Sequence, residues 1–138
     1  MLNNQEQKKS WFYYYEKIKD DILIEDRKNE NEYLDNVKEL VRKFLEMGDR
    51  NKNNGISSSQ LRNVFSRVKK SKTPKQLYLL RPKLAYIHGR PNTKRGMQKL
   101  IDILDEQIKN VNDEEKLEQF QNFFESVIAY HKYLGGKD

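Results

Sequence analysis

Two histidines, His88 and His131, are the only side chains here that ordinarily titrate between pH 5 and 8, and the chain has no cysteine. His88 follows Arg81 by seven residues, so on a helix the two fall on one stripe. A histidine beside an arginine is the minimal kit for RNase-like cleavage. The imidazole would move protons and the guanidinium would stabilise phosphate charge. No second base and no metal-ligand spacing accompanies the pair, so a structural or phosphate-adjacent role is expected instead. His131 lies on an apolar stripe, where a histidine is more often a satisfied core residue than a base. Carboxylates group at Asp20-Asp21, at Asp102, Asp105 and Glu106, and at Asp113-Glu114-Glu115. Helix dipoles and solvated faces account for them. No phosphate-cradling glycine loop and no zinc spacing occurs. The expectation is a protein that is not an enzyme, with no catalytic residue, no metal and no cofactor.

The abundant chemistry is cationic. The formal net charge is +6, but its distribution says more than the total. Residues 1–54 hold 11 Lys/Arg against 12 Asp/Glu, residues 55–99 hold 12 Lys/Arg and no acid, and residues 100–138 hold 4 against 9. From Arg50 to Ile101 there are 52 consecutive residues without a carboxylate. At the average acid content of the chain, about eight would be expected there. A solvated face normally mixes both signs, so excluding one sign over several elements points to an anionic partner.

Helical periodicity runs through nearly all of the chain. Tyr33, Leu34, Val37, Leu40, Val41, Phe44 and Leu45 recur at three- and four-residue steps, predicting a helix over 30–47. Gly48 and the polar run 49–55 end it, and that run is expected to be a mobile loop. Ser57 or Ser58 then caps a helix with Leu61, Val64, Phe65 and Val68 on one face. Thr73-Pro74 starts another, reaching about Gly89, apolar on two sides and expected to be central, buried and kinked at Pro82. Thr93 is expected to cap the next helix, and Asn112-Asp113 to open the last, which Gly135-Gly136 ends. The cluster Trp11-Phe12-Tyr13-Tyr14-Tyr15 opens a helix reaching about Asp26. The fold class expected is all-α: a single-domain bundle of five or six helices with short loops over residues 1–138. Residues 1–29 form an aromatic-rich segment of unassigned role, and residues 30–138 the bundle core.

On the helix after Ser58, the apolar residues occupy roughly −60° to +40° of a wheel centred on Leu61. Arg62, Arg67, Lys69 and Lys70 occupy roughly 80° to 240°. The helix therefore has an apolar back and a purely basic front, and free N–H groups at its serine-rich start would suit a phosphate. The turn with Arg90, Lys94 and Arg95 adds cations, as does Lys52 in the loop; Arg81 joins the set with an ambiguous role. Such residues position a nucleic-acid strand by its phosphates without reading sequence. No aromatic residue falls on this basic front, so backbone contact rather than stacking is expected.

No 18-residue apolar run exists and the first residues lack the order of a signal peptide, so neither membrane insertion nor export is expected. With no cysteine, these features fit a cytoplasmic protein.

Three segments resemble one family when taken together. They are Ile56-Ser57-Ser58-Ser59-Gln60-Leu61-Arg62-Asn63, then Leu79-Leu80-Arg81-Pro82-Lys83-Leu84-Ala85-Tyr86-Ile87-His88-Gly89-Arg90, then 123–138, which reads FFESVIAYHKYLGGKD. In this order and spacing they resemble the small helical subunit of type III-A CRISPR–Cas effector (Csm) complexes. The resemblance implies a helical bundle whose copies pack along a ribonucleoprotein filament in antiviral defence. Its partners would be the crRNA and target RNA, the backbone and large subunits of the complex, and neighbouring copies of itself. It implies contact with the guide–target duplex without sequence specificity and no catalytic residue. Arg62, Arg81 and Arg90 fall within the matched segments and are carried over as RNA-contacting or interface residues. The alternative is a protein–protein assembly module that self-associates through opposite-charge faces without touching RNA.

Overall fold

The computed structural model describes residues 9–50 and 52–137, so residues 1–8 of the N-terminal segment, Asn51 of the loop and Asp138 lie outside the described residues. Seven helical segments and no strand occur among the described residues: α1 Trp11–Ile18, α2 Glu30–Leu45, α3 Ser58–Lys70, α4 Pro74–Tyr78, α5 Arg81–His88, α6 Arg95–Ile108 and α7 Glu114–Tyr133. The all-α expectation holds. The count exceeds the six elements expected because the 74–89 segment divides in two.

The central helix is α2. Asn29 caps it by accepting from the Glu32 N–H at 3.0 Å, and Glu30 and Glu32 in its first turn complement the dipole. Tyr33, Val37, Leu40, Val41, Phe44 and Leu45 are all buried, and the helix packs against α1, α6 and α7. Its apolar residues recur at i+3 and i+4 and so form one broad stripe, which the three neighbours cover together. The helix α3 packs on α7, with Phe65 and Phe124 rings 5.3 Å apart, and Gln121 closes its far end by donating to the Val68 and Ser71 carbonyls at 3.1 Å.

The centre therefore does not lie in 74–89, as its double-sided apolarity suggested. Leu77, Leu84 and Ile87 are buried there, but Leu79 is 67% and Tyr86 63% exposed. The chain breaks at Leu79-Leu80, ahead of Pro82, rather than kinking at it. Pro82 stands in the first turn of α5, where a missing N–H leaves no bond unmade. A continuous helix would have placed it mid-helix against the carbonyl one turn back.

Two further expectations are corrected, and the loop expected to be mobile shows several hydrogen bonds among its described residues. The helix α1 ends at Ile18, well short of Asp26, because Arg27 holds the following turns by donating to the Asp21 and Ile22 carbonyls at 2.7 and 2.9 Å. Thr93 does not cap α6. The N-cap position is Lys94, without a side-chain cap, and Thr93 is buried with its hydroxyl directed to the Ile87 carbonyl. The 49–55 loop is tied down at several points. Asn54 accepts from the Asp49 N–H at 2.7 Å and donates to the Asp49 carboxylate at 2.9 Å. Gly55 donates to the Leu45 carbonyl at 3.0 Å and accepts from the Met97 N–H at 2.8 Å, so the loop bridges α2 and α6. The Lys137 N–H reaches the Asn53 carbonyl at 2.8 Å, tying the same loop to the end of the chain.

Candidate nucleic-acid interface

The helix α3 forms as its pattern requires. The Ser57 hydroxyl accepts from the Gln60 N–H at 3.3 Å as the N-cap, and Leu61, Val64 and Val68 are buried. That burial turns Arg62, Asn63, Ser66, Arg67, Lys69 and Lys70 to the outside, where all are exposed. Arg67 donates to Asn63 on the same face at 3.3 Å. Among the described residues, no carboxylate comes within ion-pair distance of Arg62, Arg67, Lys69 or Lys70. The face is thus cationic and without a carboxylate partner, so an arriving anion displaces no internal carboxylate.

The start of α3 meets the basic turn through a single side-chain bridge. The Gln60 amide donates to the Thr93 hydroxyl at 3.0 Å, which brings the turn with Arg90, Lys94 and Arg95 beside the serine-rich helix start. Arg90 and Arg95 are exposed and unpaired among the described residues, whereas Lys94 is bound to Asp49 at 2.8 Å. The hydrogen bond from Lys94, helped by that from Asn54, holds the Asp49 carboxyl below its ordinary range. Lys52 is exposed in the neighbouring loop.

Not every predicted cation belongs to this surface in the same way. Arg81 is held by Asp105 in a two-pronged pair, Nε to Oδ1 at 2.7 Å and Nη2 to Oδ2 at 3.4 Å, and this hydrogen bonding raises its pKa further. It lines a groove of about 630 Å³ between α5 and α6 together with His88, and His88 Nε2 lies 3.3 Å from the Asp102 carboxylate. The shared stripe of Arg81 and His88 is real, but the guanidinium an RNase-like reaction would need is already engaged. His131 is buried, with its Nε2 3.0 Å from the Ile56 carbonyl, as a core histidine should be. No group of three or more His, Cys, Asp or Glu among the described residues is arranged to hold a metal ion. Among the described residues no helix is long and apolar enough to cross a membrane.

Sequence reasoning missed two participants. Lys132 lies outside the acid-free stretch, yet it shares a cleft with Ser58 and Arg62 because the end of α7 passes the start of α3. The signal was present in the third resembling segment, which contains Lys132. At the other end of α3, Lys69 and Lys72 share a cleft with Glu114 and Glu118 of α7. The basic front therefore grades from purely cationic near Arg62 to mixed near Lys69, which no count along the chain reveals.

Fold and surface together define an all-helical bundle carrying a cationic face that is free of carboxylates near Arg62 and mixed near Lys69. The family model for Csm2 of type III-A matches residues 34–137. This chain belongs to that family, as the resemblance in its three segments implied. It is also similar to the "CRISPR system Cms protein Csm2" of Streptococcus thermophilus, 36% identical over 59 residues, which cover 43% of this chain and 48% of that protein. The matched part thus spans about half the length of that curated relative. No solved structure matches this chain.

Proposed function

We propose that this chain is a non-catalytic small subunit of a type III-A CRISPR effector complex that holds the RNA backbone of the guide–target duplex without reading its sequence. The observation that carries this reading is the exposed front of α3, where Arg62, Arg67, Lys69 and Lys70 have no carboxylate partner among the described residues. Arg90 and Arg95 extend it across the Gln60–Thr93 bridge, with Lys52 and Lys132 at its margins. Arg81 belongs to the reading as an interface residue of the α5–α6 groove rather than a free phosphate ligand, and Lys94 would have to exchange Asp49 for a phosphate. The partners are crRNA and target RNA, the backbone and large subunits, and neighbouring copies, all in the cytoplasm.

Binding of this kind releases counterions, so it should weaken steeply with salt and hardly vary between RNA sequences. Filter binding of duplex RNA across a salt series tests it. Reversing the charges of Arg62, Arg67 and Lys70 to glutamate should abolish binding, and unaltered binding by that triple variant would refute the surface. A second reading is an assembly module that stacks copies through opposite charges. The meeting of Lys69 and Lys72 with Glu114 and Glu118 in one cleft favours it, because it sets both signs side by side on one surface. Self-association in light scattering, with no RNA shift at low salt, would select this second reading.

A further inference from the structure

The helix α1 precedes residues 34–137, the part that matches the family, and the RNA contact proposed above leaves it unused. Its inner side is accounted for. Tyr15 and Ile18 are buried, and Gln107 of α6 donates to the Tyr15 hydroxyl at 3.0 Å. Its outer side is not. Phe12 is 52% exposed, and Tyr13 beside it is exposed as well. A single exposed phenylalanine is unremarkable. Here, however, cations are set over the neighbouring rings. Lys99 lies 5.7 Å from the Trp11 ring centre, and Lys17 and Lys9 lie 5.4 and 4.2 Å from that of Tyr13. The Trp11 ring meets Phe12 edge-on at 5.6 Å and Phe44 at 5.8 Å, which fixes this aromatic group at the end of α2.

That position joins the two surfaces. Lys99 stands one helical turn after Arg95 on α6, so the cationic surface runs from Arg95 through Lys99 onto the aromatic side of α1. The carboxylate of this helix, Glu16, is tied to Lys19 at 3.0 Å. We propose that the exposed side of α1 is a stacking platform for unpaired RNA bases, with Phe12 presenting its ring and Lys17 and Lys99 receiving the adjoining phosphates. Every base has a π-face, so such a platform grips single strands without selecting sequence. A lipid surface fits less well, because an eight-residue helix with a charged Glu16 offers little apolar area to a bilayer. The inference rests on the RNA-backbone reading and extends it from duplex to single strand.

Trp11 is the sole tryptophan, so its fluorescence reports on this platform directly. The experiment titrates the full chain with a single-stranded oligouridylate and, separately, with a blunt RNA duplex. The oligouridylate should quench Trp11. Phe12→Ala should weaken oligouridylate binding roughly tenfold while leaving duplex binding and the helical circular dichroism unchanged. Phe12→Tyr should restore single-strand binding. If Phe12→Ala binds oligouridylate as the wild type does while duplex binding persists, the platform is wrong and the backbone reading stands. If the wild type binds neither RNA, both fail. A Trp11 response to anionic phospholipid vesicles but not to RNA would overturn the proposal in favour of a lipid surface.

Discussion

Gln60 and Thr93 are joined across 33 residues of chain by one hydrogen bond of 3.0 Å, and the Thr93 hydroxyl donates onward to the Ile87 carbonyl at 2.6 Å. This relay connects the start of α3, the end of α5 and the turn before α6. Thr93→Val keeps the shape and removes the hydroxyl, leaving the Gln60 amide and the Ile87 carbonyl without it. Thr93 is buried, so stability should fall by about 1–3 kcal/mol. Urea denaturation measures this, and RNA affinity should fall only in so far as Arg90 and Arg95 lose their place beside α3.

Gly96 lies against the backbone where α2, the loop and α6 meet. A Cβ there would overlap the Phe44 carbonyl oxygen and come within 2.7 Å of the Gly55 carbonyl oxygen. Neither is the movable tip of a side chain, so Gly96→Ala should destabilise by about 3 kcal/mol or prevent folding. Gly89 is the control. A Cβ there would meet nothing closer than 3.5 Å, and its φ of −83° suits alanine. Gly89→Ala should be neutral or stabilise by up to about 1 kcal/mol through the unfolded chain. Thermal melts of the two variants separate these outcomes.

Arg62 and Arg81 should behave differently towards RNA although both lie in the acid-free stretch. Arg62 is exposed and unpaired among the described residues, whereas Asp105 already occupies Arg81. Arg62→Ala should reduce the slope of log affinity against log salt by about one phosphate contact. Arg81→Ala should leave that slope alone and instead lower the melting temperature slightly. Equal salt slopes for the two variants would contradict the assignment.

Glu25 shares a hydrogen bond with Glu115, which raises the Glu25 carboxyl above its ordinary range, aided by the charges of Glu115 and Asp26. A carboxyl raised in the folded state contributes stability that is complete below the unfolded pKa and lost as pH rises through the folded value. Once ionised, the Glu25 carboxylate is repelled by the charges of Glu115 and Asp26. Glu25→Gln should therefore raise the melting temperature at pH 7, and the gain should vanish in the acid range. Both groups lie at the surface, so the effect should be small and shrink in high salt.

The sequence by itself determined the all-α class, a serine cap at Ser57 or Ser58, the helix starts at Thr73-Pro74 and Asn112-Asp113, and the basic front of α3. These are local properties. A cap needs only a hydroxyl or carboxylate at the right offset, and a helix wheel follows from a period of about 3.6 residues. Its place on an apolar stripe also favoured a core role for His131, and the structure buries it. Tertiary structure alone decided which apolar faces found neighbours. The 74–89 segment is apolar on two sides, yet Leu79 and Tyr86 stay exposed because α2 already fills the centre. Tertiary structure also decided which cations are free. Arg81 and Lys94 look no different from Arg62 and Arg90 along the chain, but Asp105 and Asp49, outside the acid-free stretch, fold back upon them. Pairing depends on distances between residues 24 to 45 apart in sequence, and periodicity carries no information about such distances. The same holds for Lys132 beside Arg62 and for Lys99 over Trp11, which come together only when the helices pack.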